Sequence, residues 1–293
     1  MSKLKTLIIK DWRINKKTFL LPFWITAGFY ALILLSVLVA YFKGDFQISY
    51  DFLQDIETGP PVPILNFVIN MAVMGLPGLM IVIFTIMLTQ SALNEDLRRN
   101  FELFHRSQPV SIWERSFSKY ITGIAGFWIV LFLIGIFNFI VVNSFVAIVG
   151  QFHFKSAVSG MFLALFSYMK FTLIIGSLAF FCSAIFKDKA FFKGLSVLLA
   201  IHVLFLIVNV WFGWKLPMPF TYLIDLLKDN SVTSFDGNDF FFGMDSSQQF
   251  EISELIKEKW SSLIFSWKSL LQILVSGSLF AISTFIYKNK EVK

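Results

Sequence analysis

Charge is what this chain has least of. Only 15% of its 293 residues are Asp, Glu, Lys or Arg, against about 25% in a typical soluble domain. Hydrophobic residues make up 56%. That balance excludes an ordinary soluble globular domain and points to an integral membrane protein. Cysteine is almost missing: Cys182 is the single one and lies in an apolar run. No intramolecular disulfide can form, and dithiol redox chemistry loses its basis. No secretory signal stands out. The first apolar run is too long for a signal-peptide core and has no small-x-small cleavage site, so it reads as a retained span. Repeats and low-complexity tails are absent. No Asp or Glu lies well inside a long apolar run, although ion- and proton-coupled carriers usually place carboxylates there. The patterns H-E-x-x-H and G-x-S-x-G are missing, as is an intramembrane aspartate pair. Metal-assisted hydrolysis and intramembrane proteolysis therefore lose support.

What the chain does have is six long apolar runs. About 20 apolar residues cross about 30 Å of hydrocarbon. The runs are Phe19 to Tyr41, Ile64 to Gln90, Ile121 to Val149, Ala157 to Phe186, Phe191 to Trp214 and Leu263 to Tyr287. The expected fold is all-α, with six transmembrane helices in a single domain over 1–293. An even number of spans puts both termini on one side. The N-terminus, Ser91 to Lys119, Lys187 to Lys193 and the C-terminal tail carry 17 Lys and Arg, and the segments on the other side carry 7. Basic residues collect on the cytoplasmic side, so both termini are expected in the cytoplasm. The net charge of +6 then reflects topology. It gives no basis for a nucleic-acid partner, because the basic residues form no separate domain.

Two cytoplasmic stretches are amphipathic. In "LKTLIIKDWRINKK", Leu4, Ile8 and Trp12 recur at helical spacing with Leu7 and Ile14 on their flank, while Lys10, Arg13 and Lys17 take the other face. That pattern suits a helix over 1–18 lying in the membrane interface, or a plain topogenic anchor. The region 91–119 lies between the second and third spans. Leu93, Leu97, Phe101 and Phe104 fall in one arc of about 80°. Glu95, Arg98, Arg99, Glu102 and Arg106 lie opposite, with i, i+4 pairs of opposite charge that stabilise a helix by about 0.2–0.5 kcal/mol each. The helix should stop before Pro109, which disfavours α geometry in the preceding residue. Ser111 and Glu114 then have the spacing of a capping box that opens a new helix. The region reads equally as a salt-laced helix resting on the bilayer or as a surface that a cytoplasmic partner grips.

This element resembles that of ABC transporter permeases of the type-2 exporter class. The resemblance rests on Glu95 and Asp96, Arg98 and Arg99, "FELF" at Phe101 to Phe104, "PVS" at Pro109 to Ser111, and Lys119. The family often has Gly where Asn100 stands and a small or Leu residue where His105 stands. The resemblance extends to the layout: an interfacial helix, six spans, both ends inside and a long outer segment before the last span. It implies that 91–119 is a coupling region docking on an ABC ATPase through Glu95, Asp96, Arg98, Arg99, Glu102, Arg106 and the Pro109 elbow. This chain has no G-x-x-x-x-G-K-[ST] loop. ATP and Mg would thus bind on separate ATPase subunits, with two permease chains, identical or related, facing each other above them. The resemblance implies export across the cytoplasmic membrane of a bacterium, by a chain with no catalytic residue of its own. A polytopic scaffold of an ATPase complex and a secondary carrier using Lys170 and His202 are the alternatives.

The outer segment 215–262 holds short amphipathic stretches that read as interfacial packing or as the half-buried outer helices of the family. Asp236, Asn238 and Asp239 fail the spacing of an EF-hand calcium loop, so no metal site is expected. In the second span, "GLPG" at Gly75 to Gly78 has a proline that removes a helix hydrogen bond between glycines. It reads as close packing or as a hinge beside a translocation path. Lys170 is the full charge deep in a span. A central Lys is costly there, about 2.5–3.5 kcal/mol on an insertion scale, so it should face the bundle, a wet cavity or an anionic substrate, or snorkel. His202 reads as a satisfied polar contact, and Asn138 and Asn143 as hydrogen-bonding across helices.

Overall fold

The computed structural model describes residues 3–43, 62–94, 110–148, 152–228, 257, 260, 261, 263, 264 and 266–290. All regular structure among them is helical. In chain order the main helices are α1 (Lys3–Lys43), α2 (Val62–Val73), α3 (Gly75–Thr89), α4 (Ile112–Ile148), α5 (Phe154–Ile185), α6 (Ala190–Phe212), α7 (Pro219–Lys228) and α8 (Trp267–Asn289). Residues 257, 260, 261, 263 and 264 are also helical. Among the described residues, six helical stretches are long and apolar enough to cross a membrane: α1, α2 with α3, α4, α5, α6 and α8. The chain is a multi-pass membrane protein whose described regular structure is all helical.

The first helix differs from the expected division. It runs for 41 residues, about 62 Å at 1.5 Å per residue, with no break between 1–18 and the span. Pro22 lies inside it. The Thr26 hydroxyl donates to the Pro22 carbonyl at 2.9 Å. The stripe of Leu4, Ile8 and Trp12 is half-buried on the side that meets α4. Trp12 stacks on Phe19 at 4.7 Å, and Phe19 packs edge-on against Phe127 at 4.9 Å. A Cβ on Gly126 would come within 2.8 Å of the Phe19 ring, so glycine makes this seat. Asp11 accepts from the Ser118 hydroxyl at 2.6 Å. Ile14 does not flank the stripe. It is 67% exposed, because at 100° per residue it points about 160° away from Trp12. Beyond Tyr30 the helix leaves the bundle, and residues 31–39 are exposed all round.

The second span is broken in the middle. Pro77 cannot donate to the carbonyl four residues back. The helix accordingly stops at Val73, turns at Met74 and restarts at Gly75, with Pro77 in the first turn where proline is tolerated. α5 is the hub, with α2, α3, α4, α6 and α8 all packed against it. Its small residues admit close neighbours: a Cβ on Gly160 would lie 2.2 Å from the Phe67 carbonyl oxygen of α2. Phe67, Ile81, Phe127, Leu131, Ile134, Leu163 and Ala164 fill the centre of the bundle.

Candidate functional site

The candidate site is the end of the bundle where the expected coupling region enters and leaves. Glu95, Asp96, Arg98, Arg99, Glu102, Arg106 and Pro109 lie outside the described residues, as do Asn100 and His105. The residues on both sides of them are described. On the downstream side the capping box forms as its spacing predicts. The Ser111 N–H donates to Glu114 Oε2 at 3.0 Å, and the Glu114 N–H donates to Ser111 Oγ at 3.1 Å. These bonds satisfy backbone donors that a helix start leaves open. One turn later, Lys119 Nζ donates to the Ala92 carbonyl at 2.7 Å, tying α4 to the end of the second span. Arg115, also on α4, is only 6% exposed.

On the upstream side Leu93 is described, while Leu97, Phe101 and Phe104 of its expected stripe lie outside the described residues. Leu93 is 1% exposed and packs with Phe180 and Ala184 of α5 and Tyr287 of α8. Asn94, also buried, donates from its side chain to the Phe186 carbonyl. Lys290 donates to the Ala184 carbonyl at 2.9 Å. The last carbonyls of a helix have no partner within it and carry its partial negative charge. Here an amide and an ammonium supply those partners at the end of α5. Asn94 and Lys290 were not singled out in the sequence. Their partners lie 92 and 106 residues away, a distance that no local pattern records.

Within the bundle, Gly78 and Gly75 both meet Tyr168. A Cβ on Gly78 would come within 2.4 Å of that ring, while the Tyr168 hydroxyl donates to the Gly75 carbonyl at 3.2 Å. The motif is thus a helix break and a packing seat together. Lys170 donates to the Leu263 carbonyl and to the Ser269 hydroxyl. Hydrogen bonds to a charged group are worth about 1.5–3 kcal/mol, enough to offset much of the cost of a Lys in a span. Asn143 pairs reciprocally with Asn70 at 2.8 and 3.1 Å, joining α4 to α2. Asn138 donates to Met74 Sδ at 3.5 Å. His202 differs from its expectation: its ring lies 5.9 Å from that of Phe220, and its Nδ1 is buried without a hydrogen-bond partner among the described residues. On α8, Ser269, Gln272, Ser276, Ser283, Thr284 and Tyr287 are buried, a polar row that sequence reading treated as ordinary span.

No protein-family model matches this chain, and no curated protein and no solved structure is similar to it.

Proposed function

We propose that this chain is the membrane-spanning subunit of an ATP-driven exporter of the ABC type-2 class, with ATP hydrolysed on separate subunits. The observation that carries this reading is the inner junction. Leu93 and Asn94, which open the expected docking segment, are built into the inner ends of α5 and α8. The segment's far end is fixed on α4 by the capping box and by Lys119. A push on 95–109 would therefore reach three spans, and α5, the hub, among them. That is what a transmission element requires; a strut resting on lipid needs no such ties. Both termini would lie in the cytoplasm of a bacterial cell. A second permease chain, identical or related, would pack beside this one. The most apolar stretch of α6 has no buried residue, and only 6% of that of α1 is buried. These helices leave apolar surface for lipid or for that second chain. Gly75, Pro77 and Gly78 would flank the moving path as a fixed break.

The test is gentle affinity purification of the full chain from native membranes, followed by mass spectrometry. An ABC ATPase should co-purify. It should be lost when 95–109 is replaced by a neutral linker that leaves Leu93 and Asn94 in place, and weakened by Arg98→Glu with Arg99→Glu. If no ATPase appears in several detergents and in nanodiscs, the proposal fails. A scaffold that binds an ATPase but moves nothing would pass this step, and ATP-dependent uptake into inside-out vesicles separates it from an exporter.

A further inference from the structure

The helices α5 and α8 end together but do not begin together. At the inner end, Lys290 beyond α8 reaches Ala184 of α5. At the other end, α8 starts beside Lys170, the midpoint of the 32-residue α5. About 24 Å of α5, at 1.5 Å per residue, therefore extends past the start of α8. Part of that outer half is covered by α2 at Gly160. Part is covered by the residues just before α8. Trp260 donates from its indole to Ser159 Oγ at 2.7 Å and packs on the Phe166 ring at 5.8 Å.

Just before α8 the Leu263 carbonyl meets α5. It accepts from Ser269 Oγ at 2.8 Å and from Lys170. Ser266 caps α8 by accepting from the Ser269 N–H at 3.1 Å, and the two serine hydroxyls lie 2.8 Å apart. The helix cap, the carbonyl and the ammonium thus form one cluster in which three parts of the chain meet.

We infer that Lys170 is a positioning residue that holds the segment preceding α8 against the outer half of α5, and is not a contact for a transported anion. A cation in an apolar bundle persists where polar partners surround it, and here the partners are groups of the protein itself. A carbonyl ending a helical stretch carries partial negative charge, which an ammonium complements. The outer segment has other ties among the described residues: Leu263 is buried in the central apolar cluster, and Asn209 pairs with the Leu216 backbone at 2.8 and 3.1 Å. Trp260 bonds to Ser159, and Gln272 donates from its amide to the Leu226 carbonyl of α7 at 2.8 Å. These hydrogen bonds are neutral. Charge-assisted bonds are about twice as strong as neutral ones, so the Lys170 contact is the strongest of the segment's hydrogen bonds. This inference does not depend on the export reading, because it concerns how the chain holds itself.

The test is a distance measurement that needs no ATPase. Spin labels on Lys155→Cys, at the outer end of α5, and on Lys257→Cys, in the outer segment, are both at exposed positions. Pulsed electron paramagnetic resonance in nanodiscs then reads the spread between them. The unaltered Lys170 and Lys170→Arg should each give one narrow population. Lys170→Met should broaden it and add a longer population, raising the fraction outside the main peak several-fold. An unchanged distribution in Lys170→Met overturns the inference. So does a fall in transport with unchanged distances, which would return Lys170 to the cargo. If Lys170→Met is not recovered folded, Lys170→Gln carries the same two arms.

Discussion

The helices α5 and α6 are neighbours in the chain, and both pass for spans on length and hydropathy. Their surroundings are opposite. In α5 seventeen residues are buried, and most of these are Gly, Ala, Ser, Thr or Cys. In α6 only Ala190 and Phe191, at its first turn, are buried. Most of the rest is Leu, Val, Ile and Phe, and most of these side chains face outward. Lipid is as apolar as leucine, so greasiness does not draw helices together in a membrane. Close packing and hydrogen bonds do. Small residues let backbones approach, as Gly160 does at Phe67, and hydroxyls bridge helices, as Ser177 does to Tyr120 at 2.6 Å. A hydropathy window records where a span lies. The size of its residues records whether the span is hub or rim.

Four substitutions would break or sharpen that contrast. The largest effect belongs to Gly160→Val on α5, where any Cβ meets the Phe67 backbone. Overpacking costs about 1–3 kcal/mol and sometimes more, and rigid backbone on both sides places this site at the upper end. Loss of a monodisperse peak in size-exclusion chromatography is expected. Next is Asn70→Leu, which leaves the side-chain oxygen of the buried Asn143 without its donor. Interhelical bonds in membranes average about 0.6 kcal/mol and reach about 1.7, so a drop in Tm should be seen. The double variant Asn70→Leu with Asn143→Leu should recover part of it. A smaller effect is expected for Ser177→Ala, which removes one bond to Tyr120 at about 0.5–1.5 kcal/mol. The smallest is Leu204→Ala on α6, where the side chain is 57% exposed and Tm should move within the error of the measurement. If Leu204→Ala destabilises as much as Asn70→Leu, then α6 is covered by something outside this chain.

Much of the architecture could be read before the structure. Six spans follow from apolar length, and the capping box at Ser111 follows from residue type and spacing. Asn143 could be named as a cross-helix donor, but Asn70 could not be named as its partner, since 73 residues separate them. Lys170 was conspicuous for its charge, and its partners Leu263 and Ser269 were ordinary residues 93 and 99 positions away. Leu93 showed a similar limit. Its periodicity marks it as apolar-facing, and the fold shows which neighbours it meets: Phe180, Ala184 and Tyr287. Periodicity reports that a residue has an apolar neighbour, and the topology decides which one.

The seam between α5 and α6 carries one more consequence. A Cβ on Gly194 would lie 2.2 Å from Cys182 Sγ, so the α6 backbone seals the chain's one thiol in the folded state. Water-soluble maleimides should leave the native protein unmodified and react once this seam parts. Cys182 is therefore a built-in alarm for separation of the rim helix from the hub. For the same reason, cysteines introduced elsewhere can be labelled one site at a time without first removing the natural one.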